Sequence, residues 1–409
     1  MNHTQLTGQQ KLADYEYMWK VLNSSFPVRG IMRRLGYDWN EIYARHKERV
    51  VNTLDDLGFC RAMAGVFEDF KDRGTDRFFA HIRLFEPARF RDYQKTYKAF
   101  SMGAWEKFNP AEFQPWLDAV NQEVSECFYS RFDDTAADGK FYWKGQAPEK
   151  LVEGASPVFG DNEKDVNVLC SMLSDDVALI EVKTLNMLRL AGDREIVFDF
   201  YGRHKGCKHL ILDFRKNGGG ATDYWQKLLV APTIGKEMHN ANYITLAVSE
   251  ENREFIRCGY NECKELGDEE GKVKPISRLP HLPNFEKDDL DQLTHFLERG
   301  YTIEPDAEHH FGCEKVWLLV SNKVYSSSEA FAVFCKTTGY ATVVGERTGG
   351  DGIGIAPFHA VLPQSGLVIR YSGENGLNAD GSSNAEHCTV PDILCDPDEA
   401  LEVCLREIK

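Results

Sequence analysis

Residues 316–356 read VWLLVSNKVYSSSEAFAVFCKTTGYATVVGERTGGDGIGIA, and the order of elements within them sets the class of fold. Val316 to Val320 form a short continuous apolar run, the pattern of a strand covered on both faces. A turn with three hydroxyls follows, Ser326, Ser327 and Ser328, and Glu329-Ala330-Phe331-Ala332 then opens a helix. Thr342–Val344 returns as a strand and runs into a glycine-rich loop. A serine at a strand-to-helix junction stands clear of the sheet, and the unpaired N–H groups of the first helical turn can stabilise a developing oxyanion. Serines also cap helices routinely. Within this stretch alone, capping and catalysis both stay open.

A second glycine motif lies upstream. His209-Leu210-Ile211-Leu212-Asp213-Phe214-Arg215-Lys216-Asn217-Gly218-Gly219-Gly220 is again an apolar strand, here ending in a loop suited to glycine. Consecutive glycines let the backbone approach a ligand closely and aim N–H groups at it. A phosphate loop would need a following Gly-Lys-Ser/Thr, which does not occur here, and the spacing of a dinucleotide fingerprint is missing too.

Asp-x-Arg-x-Asn-x-Gly-Gly followed later by Ser-x-Ser-Glu resembles the C-terminal-processing and tricorn-type serine peptidases. Gly345-Glu346-Arg347-Thr348-Gly349-Gly350 is similar to that family's Gly-Glu-x-Thr-x-Gly segment, and Pro391-Asp392-Ile393 to its Pro-Asp-Ile. Four ordered motifs over roughly residues 175–400 are specific as a set. The resemblance implies an α/β core of the ClpP/crotonase-like type, a superhelix of ββα units, preceded by an N-terminal helical domain. It also implies that Ser326 is the nucleophile, with the N–H groups of Ser327 and Gly219 as the oxyanion hole and Gly218 as the neighbouring candidate.

A serine hydroxyl needs a base within hydrogen-bond reach. The C-terminal-processing branch uses a lysine just after the Thr-x-Gly segment, where this chain has Asp351, and no lysine occurs in 346–364. The chain is therefore closer to the tricorn branch, which takes a histidine from the helical region and a glutamate near the C-terminus. By that resemblance His81, in Phe78-Phe79-Ala80-His81-Ile82, is the base, and Glu386, shortly before Pro391, orients it. His359 and Glu374 are the second choices for these roles, and Ser328 is the next candidate nucleophile. Arg215 is expected to brace its loop, because a fixed positive charge cannot shuttle a proton.

Composition fits a globular enzyme of 409 residues with room for a large core. A net charge of −16 argues against nucleic-acid or anionic-membrane partners, leaving a peptide or protein as the expected substrate. No apolar run is long enough to span a bilayer, and the first ten residues are polar. The expected location is the cytoplasm, or outside the cell with a leader already removed. The 11 scattered cysteines favour reduced thiols over a disulfide framework. Cys258, Cys263, His309, His310 and Cys313 do not have the common zinc spacing, so neither a metal nor another cofactor is expected.

Three regions are expected: a helical cap over 1–100, a connecting or inserted segment over 101–175, and the α/β core over 176–409. Asp38-Trp39 and Thr53-Leu54-Asp55-Asp56 mark helix starts, with Thr53 or Asp55 capping the latter. Many relatives carry a PDZ module where 101–175 stands, but this segment has no clear peptide-carboxylate loop. Core strands are expected at 177–182, 210–213, 243–248, 316–320 and 342–344, with helices at 194–204, 223–230, 288–299 and 329–337. A charged insertion at about 249–312 could roof the site. Besides the serine peptidase, a pseudoenzyme that binds peptides and an acyl-transfer enzyme with the same oxyanion geometry are compatible with this fold.

Overall fold

The computed structural model describes residues 5–70, 82–104, 109–134, 136, 140–147 and 166–409. The sequence reading also expects loops near 136–139 and 154–157; apart from residue 136 these lie outside the described residues. The chain opens with helices Gly8–Ser25, Arg29–Arg34, Trp39–Val51 and Asp56–Glu68. Asp38 and Asp55 cap the last two, accepting hydrogen bonds from the N–H of Glu41 and of Gly58. Strand β1 (Arg83–Leu84) and helices Pro87–Ala99, Gln114–Val120 and Glu123–Tyr129 follow.

A hairpin of β2 (Val168–Ser174) and β3 (Val177–Val182) begins the α/β part. Strands β4 (His209–Asp213), β5 (Met238–Leu246), β6 (Lys274–Pro275), β7 (His295–Ile303), β8 (Lys315–Val320) and β9 (Ala341–Gly345) come next. The last are β10 (Phe358–Val361), β11 (Val368–Tyr371), β12 (Glu374–Gly376) and β13 (Ile393–Leu394).

The main sheet runs β13-β9-β8-β4-β3-β2, parallel except for the β3–β2 hairpin. Its central strands are apolar along their length because both faces are covered. Helices Leu190–Arg203 and Ser327–Thr338 lie on one face, and Ala400–Ile408 on the other. A second sheet runs β12-β5-β7-β6 and a third runs β1-β11-β10. The N-terminal helices share one apolar core with β10, β11 and part of β5. Asp14 ties the two ends of the chain together by accepting the N–H groups of Gln364 (2.7 Å) and Ser365 (2.9 Å).

The helix expected at 288–299 is corrected by the structure. Residues Lys287–Gln292 form a short 3-10 segment, and β7 starts at His295. Leu290, Leu293 and Leu297 have helical spacing, but nine residues of β7 pair with the whole of β5, and those inter-strand bonds override the local pattern. Among the described residues, no helix is long and apolar enough to cross a membrane.

Candidate active site

Ser326 stands between β8 and the helix Ser327–Thr338 with φ 56° and ψ −124°, a region that L-residues avoid. Its side chain makes no capping hydrogen bond, so helix capping does not account for its presence. Holding a non-glycine residue there costs about 1–3 kcal/mol, and the neighbours must enforce it. They do so by hydrogen bonds. The Ser326 N–H donates to Gly350 O (3.2 Å), the Ala330 N–H to Ser326 O (2.9 Å), and the Ser328 N–H to Tyr325 O (3.2 Å). Of the three serines only Ser326 is partly exposed. Ser327 and Ser328 are buried, and the Ser328 hydroxyl donates to Asn217 Oδ1 at 2.6 Å.

The glycine loop meets this turn directly. A Cβ built on Gly219, at φ 112°, would lie 2.7 Å from Tyr325 O, 3.0 Å from Ser326 Cβ and 3.1 Å from Ser327 N. Ser326, Ser327 and Gly219 are therefore brought together. Asn217 fixes the loop: its amide donates to Val182 O (3.0 Å), and its oxygen accepts both Ser328 Oγ and the Gly219 N–H (3.0 Å). The Gly219 N–H is thus committed within the loop, whereas open space lies over Gly218. Arg215 braces the strand end through a fork to Asp213 (2.9 and 2.6 Å) and a bond to Pro397 O.

The C-terminal segment packs over Gly350. Asn384 donates to Glu329 Oε1 (2.8 Å) and accepts the Gly352 N–H (2.9 Å), and Thr389 donates to the same Glu329 oxygen (2.6 Å). Burial pushes the Glu329 carboxyl above its ordinary range, and these donors oppose that rise. Glu329, the motif's last residue, is a tether between the helix Ser327–Thr338 and the short helix Asn384–His387. Glu386 lies on that short helix, where both its oxygens accept from Arg34, at 3.1 Å from Nε and 2.7 Å from Nη2. Arg34 also grips Asp289.

His81 lies outside the described residues. Ile82, next to it, is buried and lines a cavity with Asp351, Ser372, Glu374 and Ala385. Asp351, at φ 56°, accepts the Tyr325 hydroxyl at 2.8 Å. Burial raises its pKa. His359 sits on β10 against Phe85, Tyr93 and Tyr97, and burial holds its imidazole well below the ordinary range. No contact links its ring to the Ser326 turn among the described residues.

Glu374 accepts the Tyr260 hydroxyl and the Ile355 N–H, and burial pushes it up to about 7. An acid raised in the fold gives its full stability below the unfolded value of 4.5 and loses it as pH rises through about 7. Relative to Glu374→Gln, the wild type should therefore lose on the order of 3 kcal/mol between pH 4.5 and pH 8. Urea unfolding of both proteins at the two pH values checks this, and parallel pH dependence would contradict it.

Asn217, Glu329, Asp351 and Arg34 hold the site without having been singled out as functional. Asn217 and Glu329 are in the two motifs, so their fixed spacing was the available signal. Arg34 lies 352 residues from Glu386, and nothing local marks it.

The model of peptidase family S41 matches residues 176–395. A protein from Parabacteroides merdae superposes with a TM-score of 0.53 at 14% identity, covering 98% of this chain and 97% of that one. Mature CPAF superposes at 0.50 with 12% identity, covering 98% and 95%. At these identities the structural likeness concerns the fold. No sequence relative is found among curated proteins.

Proposed function

Because the chain belongs to peptidase family S41, we propose that it is a serine peptidase acting through an acyl-enzyme on Ser326. The observation that carries this is a partly exposed serine held at φ 56° on a helix N-terminus, with a glycine loop packed against its Cβ. Ser326 Oγ bonds to the substrate carbonyl carbon while its proton passes to a base. The carbonyl oxygen takes up negative charge and faces the Ser327 N–H and the glycine loop, where Gly219 or Gly218 supplies the second donor. As the C–N bond breaks, the base gives its proton to the leaving amine. Water then attacks the ester, sends its proton through the base to Ser326 Oγ, and frees the new carboxylate.

The base in this proposal is His81, and Glu386 holds its other ring nitrogen. In support, Ile82 and Ala385, the immediate neighbours of these two residues, line one cavity with Asp351. Asp351 in turn follows Gly350, the acceptor of the Ser326 N–H. The substrate is a peptide or protein, and the chemistry needs no cofactor.

With an imidazole base, kcat/KM should rise with pH around about 6.5, as the base loses its proton. His81→Gln should lower kcat by on the order of a thousandfold or more and remove that limb of the profile. An unchanged profile in His81→Gln would pass the role of base to another group. One observation favours a second reading, a peptide-binding protein without turnover: Arg34 already holds both oxygens of Glu386. Absence of hydrolysis in both the wild type and Arg34→Ala would select it.

A further inference from the structure

The two edges of the main sheet are unlike. At one end β13 is two residues long and follows Pro391-Asp392, features that protect an edge from further pairing. At the other end β2 has seven residues, and among the described residues no strand pairs with its outer side. Residues 166–174, VNVLCSMLS, contain no charge and no proline. The Asn167 carbonyl accepts the Lys183 N–H at 3.1 Å, so Asn167, Leu169 and Ser171 turn their backbone groups toward β3. Val168, Cys170 and Met172 therefore turn theirs outward.

The side chains alternate as well. Val168, Cys170 and Met172 pack into the core on the side of helix Leu190–Arg203. Leu169, Ser171 and Leu173 point to the opposite face, where the helix Ala400–Ile408 packs on β8 and β9. Leu169 and Leu173 stay 49% and 41% exposed there. The strand is symmetric about Ser171. Leu169 and Leu173 flank it on the exposed face, and Cys170 and Met172 flank it on the other.

We infer that β2 is a homodimer interface: two copies pair their β2 strands antiparallel about a two-fold axis at Ser171, joining two six-stranded sheets into one. In that register the outward backbone groups of Cys170 meet those of the partner's Met172, so each outward N–H finds a carbonyl. Leu169 faces the partner's Leu173, and Ser171 faces the partner's Ser171. These are the non-hydrogen-bonded pairs, in which side chains approach closest. Two features favour a second copy over any other occupant. The strand is complementary to itself, with both leucines of each copy matched. A chain of net charge −16 also meets least repulsion from its like where neither copy brings a charge. The pairing uses up the open edge of both copies, so assembly stops at two. It needs nothing from the chemistry at Ser326.

Sedimentation velocity of the full chain from about 1 to 100 μM tests this, because a small edge contact suits a Kd in the micromolar range. The wild type is expected to pass from monomer to dimer with no larger species. Ser171→Lys sets two like charges against each other on the axis and should raise Kd about tenfold or more. Leu169→Lys/Leu173→Glu puts opposite charges at both leucine pairs and should still dimerise, whereas Leu169→Lys/Leu173→Lys should stay monomeric. All three positions are exposed, so the variants should keep the wild-type melting temperature closely. A wild type that stays monomeric throughout, or that forms larger species, would overturn the inference. So would an unchanged Kd in Ser171→Lys, or equal behaviour of the two double variants. Should a variant fail to fold, hydrogen exchange of the wild type decides. The Cys170 and Met172 amides should gain protection as concentration rises, and equal exchange at both ends of the range would contradict the pairing.

Discussion

Ser326→Ala is expected to abolish peptide hydrolysis, with a loss of at least about ten-thousandfold in kcat, while the protein keeps its fold. The stability part of this expectation comes from the backbone. Ser326 donates and accepts no capping hydrogen bond through its side chain, so the loss of about 1 kcal/mol that follows removal of a cap should not appear. Ser326→Gly separates strain from chemistry further. Glycine adopts φ 56° without penalty, so this variant should be more stable than the wild type by about 1 kcal/mol and equally inactive. Thermal unfolding and peptide turnover of the two variants test both halves. A stable, active Ser326→Ala would end the nucleophile assignment. Ser328 would be a poor replacement, since it is fully buried and bonded to Asn217.

Gly219→Val should have the second largest effect, a loss on the order of a hundredfold or more in kcat. The cause is steric and conformational together. A Cβ at this position would lie 2.7 Å from Tyr325 O and 3.1 Å from Ser327 N, so the nucleophile turn would have to move away from the glycine loop. The positive φ of 112° adds strain for any L-residue, and most for a β-branched one. Gly218→Ala provides the contrast: nothing lies within 4 Å of the added methyl, so stability should change little. Comparable melting temperatures for Gly218→Ala and Gly219→Val, together with full turnover in Gly219→Val, would mean that the loop does not need to approach Ser326 closely.

Much of the fold was legible because parallel strands covered on both faces must be apolar throughout. The strand expected at 177–182 has those bounds in the structure, the one at 316–320 starts one residue earlier, and the one at 342–344 extends by one residue at each end. The caps at Asp38 and Asp55 were legible for a similarly local reason, a short acceptor three residues before an unpaired N–H. What depended on distant pairing was not. The strand β7 was hidden by leucines at helical spacing and is fixed by its partner β5. The juxtaposition of Ser326 with Gly219 followed from two motifs, each at the end of a buried strand, and those strands, β4 and β8, are neighbours in the sheet. By contrast, the Arg34 fork on Glu386 joins residues near the two ends of the chain.

The most direct test of the central claim is to map the site of covalent modification. The protein is treated with an alkyl fluorophosphonate and digested with trypsin, and the peptide spanning residues 324–336 is sequenced by tandem mass spectrometry. The expected result is one adduct, on Ser326, that disappears in Ser326→Ala. An unmodified peptide, or an adduct on Ser327 or Ser328 that persists in Ser326→Ala, would contradict it.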